Sequence, residues 1–111
     1  MGDLLKSTYT NLADNNTNTT ICTGANVAST VISLLICNVE ASTDATFTLT
    51  VVDSDNSNAV SIIYEDQSLP AKATFEHTSK ITLMPSDTLK FELGANTQSA
   101  NIVCSYLEQT S

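Results

Sequence analysis

Residues 45–52 read ATFTLTVV, and their alternation decides the fold class. Phe47, Leu49 and Val51 fall on one side of an extended chain, while Thr46, Thr48 and Thr50 fall on the other. Wound as a helix, the same residues would scatter around its circumference. Residues 88–93, TLKFEL, repeat the pattern, with Leu89, Phe91 and Leu93 opposed by Lys90 and Glu92. Each stretch predicts a strand with one face on a core and one face in water.

Residues 30–39, TVISLLICNV, depart from this pattern. In a regular strand Val31, Leu35, Cys37 and Val39 share one face, while Ile32, Leu34 and Ile36 share the other. With both faces apolar, the strand is either buried on two sides or meets another subunit on one of them. Further strands are predicted at 19–23, 59–65, 71–76, 80–84 and 101–108, with 7–11 as an additional edge strand. Between them lie turn-forming clusters: DNNTN at 14–18, STD at 42–44, DSDNSN at 53–58, LPA at 69–71, PSD at 85–87 and GAN at 94–96.

About eight short strands at intervals of roughly ten residues, with no long helical period, predict an all-β fold. The expected architecture is an antiparallel β-sandwich, jelly-roll-like or Greek-key. A chain of 111 residues has the size of one domain. Its expected division is an N-terminal arm at 1–17, polar and turn-rich after Leu4 and Leu5, followed by a single sandwich at 18–111.

Four Lys+Arg stand against twelve Asp+Glu, for a net charge of -8, yet only 14% of residues are charged. The surface is therefore built largely of Thr, Ser and Asn. Lys6, Lys72, Lys80 and Lys90 are scattered singly, and an acidic body without a basic patch repels phosphate, which argues against nucleic acid as a direct partner. Polybasic attachment to an anionic membrane fails for the same reason. No apolar run approaches a membrane span, and MGDLLKSTYT lacks the basic-then-apolar pattern of a signal peptide. Lys6 stands where the myristoylation pattern requires Ser or Thr.

The best-looking chemical site is VVDSDNSNAV at 51–60, with Asp53, Asp55 and Ser57 at alternate positions. An EF-hand loop started at Asp53 would need Gly at its sixth position and Glu at its twelfth, but Asn58 and Tyr64 stand there. It reads as a solvated hairpin tip, and no metal site is expected. His77 is the lone histidine and lies in a polar connector, so nucleophile activation lacks a visible base and orienting group. Cys22, Cys37 and Cys104 form no CxxC pair and sit in apolar strands, as reduced core thiols of a protein made in the cytosol. Asp44, Glu65, Asp66, Glu76 and Asp87 read as solvated charge rather than paired catalytic carboxylates. The chain has no Trp, and Tyr9 is the one obvious free aromatic platform, thin support for a glycan-binding module. No catalytic residue and no cofactor is expected.

Assembly remains. Sheet edges carrying Thr in place of Lys or Pro are suited to being covered by another subunit. The candidate assembly contacts are Leu4, Leu5 and Tyr9 in the N-terminal segment, and Ile32, Leu34 and Ile36 on the two-faced strand.

The order of features resembles a family of small β-sandwich virion proteins of tailed bacteriophages, including phages of marine bacteria and cyanobacteria. The matching residues run from TTICTGANVASTVISLLICNVEAS through ATFTLTVVDSDNSNA and LPAKATFEHT to KITLMPSDTLKFELGANTQSANIVCSYLE, about residues 18–108. In the family an apolar "I.LLI.N" strand is followed by a T-V-rich strand with a polar hairpin, an "I.L.PGDTL.V" turn and a terminal "V..SYLE"; here Pro85-Ser86-Asp87 replaces Pro-Gly-Asp. The resemblance implies a non-enzymatic virion component, made in the cytoplasm of the bacterial host. Its implied partners are copies of itself, the major capsid protein or other virion proteins. The acidic charge disfavours a surface facing packaged DNA, so a capsid decoration or cement protein on the outer head is the first expectation. A neck or tail component is the second, and a receptor- or glycan-binding module the third.

Overall fold

The alternating stretches form strands in a computed structural model of the chain, which describes residues 3–25 and 27–109. The strands are β1 (Asp3–Leu12), β2 (Thr19–Thr23), β3 (Ala28–Asn38), β4 (Ala45–Asp53), β5 (Ala59–Leu69), β6 (Thr74–His77), β7 (Ile81–Leu83), β8 (Thr88–Leu93) and β9 (Ala100–Gln109). Ser54–Asn56 forms a short 3-10 turn at the tip between β4 and β5.

Every strand pairing is antiparallel. One sheet has the order β1-β9-β3-β6, with β7 also on β3, and the other has the order β2-β8-β4-β5. β6 and β7 pair with successive parts of β3 and act as one interrupted strand. Counted so, the chain is a long hairpin doubled back on itself: β1 pairs with β9, β2 with β8, β3 with β6/β7, and β4 with β5. Successive pairs alternate between the two sheets, which is the wiring of an eight-stranded jelly roll. The all-β antiparallel sandwich expected from the alternation is therefore present.

The core lies between the sheets and is built from the apolar half of each alternating strand. Phe47, Leu49, Leu89, Phe91 and Leu93 come from the four-stranded sheet, and Val31, Leu34, Ile36, Ile102 and Cys104 from the other. Phe47 stacks on Phe91 with ring centroids 5.3 Å apart and meets Phe75 edge-on at 5.2 Å. Such pairs add about 0.5–1.5 kcal/mol each beyond the area they bury. Asn38 is fully buried at the end of β3, where its Nδ2 donates to the Thr43 and Leu69 carbonyls at 2.9 and 3.0 Å. Its Oδ1 accepts the Glu40 amide at 2.9 Å, so this amide is satisfied by the connector it holds in place.

Two expectations are corrected here. The edge strand expected at 7–11 is longer and takes up most of the expected N-terminal arm: it runs from Asp3 to Leu12, hydrogen-bonded to β9 in an unbroken register from Asp3↔Gln109 to Leu12↔Ala100. Its alternation, with Leu5, Ser7 and Tyr9 at every second position, is the signal for that strand. The assignment of Ile32, Leu34 and Ile36 to one partner-facing side also fails. The β3–β9 register shifts between Val31 and Ser33, so Ile32 is an inserted residue that reverses the facing of everything after it. Val31, Leu34 and Ile36 all point inward with 0% exposure, while Leu35, Cys37 and Val39 point out. Leu34 and Ile36 cannot meet a partner without opening the core.

The turn at 84–87 anchors the other end of the sandwich. The Asp87 amide donates to the Met84 carbonyl at 3.0 Å across Pro85 and Ser86, and Ser86 has φ 70°. Proline second and a left-handed residue third is the pattern of a type II turn, where glycine is favoured. Gly24 packs against this turn: its amide donates to the Asp87 carbonyl at 2.8 Å, and a Cβ on it would run into the Met84 carbonyl.

Candidate assembly surface

The bulge in β3 and the unbroken β1–β9 ladder set which side chains cover the outside of the five-stranded sheet. Inward positions on β9 are Ala100, Ile102 and Cys104, all buried, so Asn101, Val103, Ser105 and Leu107 lie outward. Register then builds cross-strand rows. Leu5, Leu107 and Thr30 form one; Ser7, Ser105 and Ser33 the next; Tyr9, Val103 and Leu35 the third; Asn11, Asn101 and Cys37 the fourth.

These four rows contain no charged side chain, on a chain with twelve acidic residues. On β6 the third row continues into Glu76, opposite Leu35, and Asp3 stands two residues before Leu5 in β1. Leu5 and Tyr9 are 72% and 73% exposed, and a row of serines lies between their rows. Leu5, Tyr9 and Leu35 are thus exposed, and Val103, Leu107 and Cys37 half-buried, among Ser, Thr and Asn on the part of the face built by β1, β9 and β3. Exposed apolar side chains grouped on one uncharged patch mark an interaction site more often than scattered single residues do.

Of the sequence-derived contacts, Leu5 and Tyr9 lie on this face, and Ile32 is half-buried at the bulge beside Ser33. Leu4 lies on the opposite side of β1, across from Glu108, where Lys6 Nζ and Glu108 Oε1 pair at 3.1 Å. Leu35, Val103 and Leu107 belong to the face and were not picked out as contacts by sequence reading. The opposed faces of TVISLLICNV hold part of that signal, but the bulge has to be known before the right face can be chosen.

A second exposed apolar strip lies on β5, the edge of the four-stranded sheet. Val60 and Ile62 are 59% and 56% exposed where the β4–β5 hairpin extends beyond the core.

The other candidates resolve into structural roles. Asp53 Oδ1 accepts the Asp55 amide at 3.1 Å and so caps the 3-10 turn rather than clamping an ion with Asp55. Ser57 and Asn58 follow with φ 55° and 59°, a left-handed pair that reverses the chain. Asp87, grouped by sequence with solvated acids, is buried and accepts from Ser54 and Met84. His77 ends β6 and is buried, not placed in a polar connector. Its Nδ1 lies 2.8 Å from the Tyr64 hydroxyl, inside the aromatic cluster of Phe47, Tyr64 and Phe75. Among the described residues no three His, Cys, Asp or Glu side chains converge as a metal site.

No family model and no curated protein matches the sequence. Solved structures with the same fold do exist. The chain is similar to one in the "acidic stable capsid structure of Helicobacter pylori bacteriophage KHP30", with TM-score 0.63 and 11% identity, covering 98% of this chain and 94% of that one. It is similar to part of a chain in the structure of infectious bursal disease virus Gx strain, with TM-score 0.51 and 11% identity, covering 97% of this chain and 33% of that one. A pentameric capsid protein isolated from metagenomic phage sequences aligns with TM-score 0.48 and 21% identity, over 93% of this chain and 62% of that one. At 11% identity the first two likenesses are of fold.

Proposed function

We propose that the chain is a non-enzymatic structural protein of a virus particle, most specifically a capsid decoration or cement protein on the outer head of a tailed bacteriophage. The observation that carries this reading is the uncharged patch, with Leu5, Tyr9 and Leu35 exposed on it, that β1, β9 and β3 build on the outer side of the five-stranded sheet of an otherwise acidic body. A face of that kind docks on protein and has no use as a phosphate or nucleic-acid site. The jelly-roll wiring supports it, since viral capsids are one of the settings in which that fold recurs. So does the end-to-end likeness to a chain of the bacteriophage capsid structure. The contacts of His77 with Tyr64, of Asp87 with Ser54 and Met84, and of Asp53 with the Asp55 amide support the non-enzymatic reading.

In this reading Leu5, Tyr9, Leu35, Val103 and Leu107 rest on the major capsid protein or on a neighbouring copy, and the polar tip at 53–58 faces water. The test is to locate the protein in purified particles by mass spectrometry and by electron microscopy of tagged virions. Density on the outer head, lost in particles made without the gene, is the expected result. Density confined to the neck or tail would move the protein there, and its absence from particles would overturn the reading.

A further inference from the structure

The sandwich has four sheet edges, and three of them are blunted. β2 is five residues long, and its ladder shifts between Thr20 and Cys22. β5 takes an inserted residue at each of the two places where its register against β4 shifts, and it carries Glu65 and Asp66 there. The β6/β7 edge is interrupted between His77 and Ile81, with Lys80 in the gap. Short strands, bulges and charge are the devices that keep an unpaired edge from adding a further strand. β1 is neither short nor bulged: its ten residues pair with β9 without a shift, and among the described residues no strand lies on its other side. Its one cation, Lys6, is paired with Glu108 at 3.1 Å.

We infer that this open edge is a pairing site for β1 of a second copy of the chain, antiparallel and related by a twofold axis at Ser7. An edge strand presents a row of unpaired amides and carbonyls, and another extended strand supplies the groups that complete them. The side chains select the partner and the register. Centred on Ser7, Leu5 stands opposite Tyr9 of the second copy, Asp3 opposite Asn11, Lys6 opposite Thr8, and Ser7 opposite its own equivalent. Asp3, the one acid of β1, thus faces a neutral amide, and no like charges meet across the seam although each body carries -8. Centred on Lys6 instead, two lysines would meet; centred on Thr8, Leu5 and Tyr9 would face Asn11 and Ser7. The Ser7 register also joins the outer rows of the two copies. The row of Leu5, Leu107 and Thr30 in one runs on into the row of Tyr9, Val103 and Leu35 in the other, so the uncharged patch continues across the seam. The contact uses backbone groups at the edge and leaves the outer face open, so it is separate from docking on a particle.

The experiment follows the mass of the purified full chain by sedimentation from micromolar to millimolar concentration, in salt that screens the net charge. A monomer in mass-action balance with a dimer is expected. Ser7 is exposed, so Ser7→Asp and Ser7→Lys keep the fold while each sets like charges on the axis. Each should raise the dimer dissociation constant about fivefold, and an equal mixture of the two should recover the pairing as a heterodimer. In the wild type, amide exchange read residue by residue should slow with concentration at the alternate β1 amides that point away from β9. A wild type that stays monomeric at millimolar concentration would overturn the inference. So would a dimer that both Ser7 variants leave untouched, or one whose β1 amides exchange alike at low and high concentration, as a contact through the outer face would give.

Discussion

The Asp87 carboxylate accepts the Ser54 amide at 3.0 Å, tying the tip of the β4–β5 hairpin to the turn before β8 across 33 positions of sequence. Its other oxygen accepts the Met84 amide at 3.1 Å, and the Ser54 hydroxyl lies 3.3 Å from the first. Asp87→Ala leaves these donors without their acceptor in a buried site, an expected loss of about 2–4 kcal/mol. Asp87→Asn keeps one acceptor oxygen and should lose less. Urea midpoints of the two variants, at unchanged m-value, check the order.

Ser86 holds φ 70° at the third position of a type II turn. A non-glycine residue there carries a penalty of about 1–2 kcal/mol, partly offset by the chain entropy that glycine adds to the unfolded state. Ser86→Gly is expected to raise stability by about 0.5–1 kcal/mol, and the β-branched Ser86→Val to lower it. Thermal unfolding of the pair shows the opposite signs directly.

The corrected facing of β3 separates two classes of variant. Leu34→Ala empties a fully buried site and is expected to lose about 2–5 kcal/mol. Leu5→Asp and Tyr9→Asp alter exposed positions and should leave stability within about 0.5 kcal/mol. The surface pair should instead abolish binding to particles that lack the protein, measured by co-sedimentation. Equal binding by wild type and both surface variants would remove the outer face from the assembly reading.

Tyr106, on β9 beside the core, is raised above its ordinary value of 10.0, first by burial and then by nearby Cys22. A group raised on folding stabilises the protein while it is protonated in both states, and that contribution is lost as pH climbs through the folded value. Stability should therefore fall at alkaline pH beyond about 10, the range in which free tyrosine ionises. Tyr106→Phe removes this part of the slope. Melting temperatures of the two proteins across that range give the comparison.

The fold was legible where alternation is regular. Phe47, Leu49, Leu89, Phe91 and Leu93 face inward as their spacing requires. It was illegible where one residue is inserted, because periodicity carries no mark of a bulge, and a single extra residue reverses every later side chain. That is why Leu34 and Ile36 looked available and Leu35 did not. Asp87 and His77 were missed for another reason: burial of a polar side chain depends on partners distant in sequence, Ser54 for one and Tyr64 for the other. The strand in 3–12 was visible only in part, since its ladder partner β9 lies at the far end of the chain.

The uncharged patch over β1, β9 and β3 also sets how crowded copies respond to ionic strength. Bodies carrying a net charge of -8 repel one another at long range, and dissolved ions shorten that reach from about 30 Å at 0.01 M to about 3 Å at 1 M. A contact through the four uncharged rows contains no ion pairs for the same ions to weaken. Brine should therefore tighten the packing of this protein on a surface, where it would loosen an interface held by salt bridges.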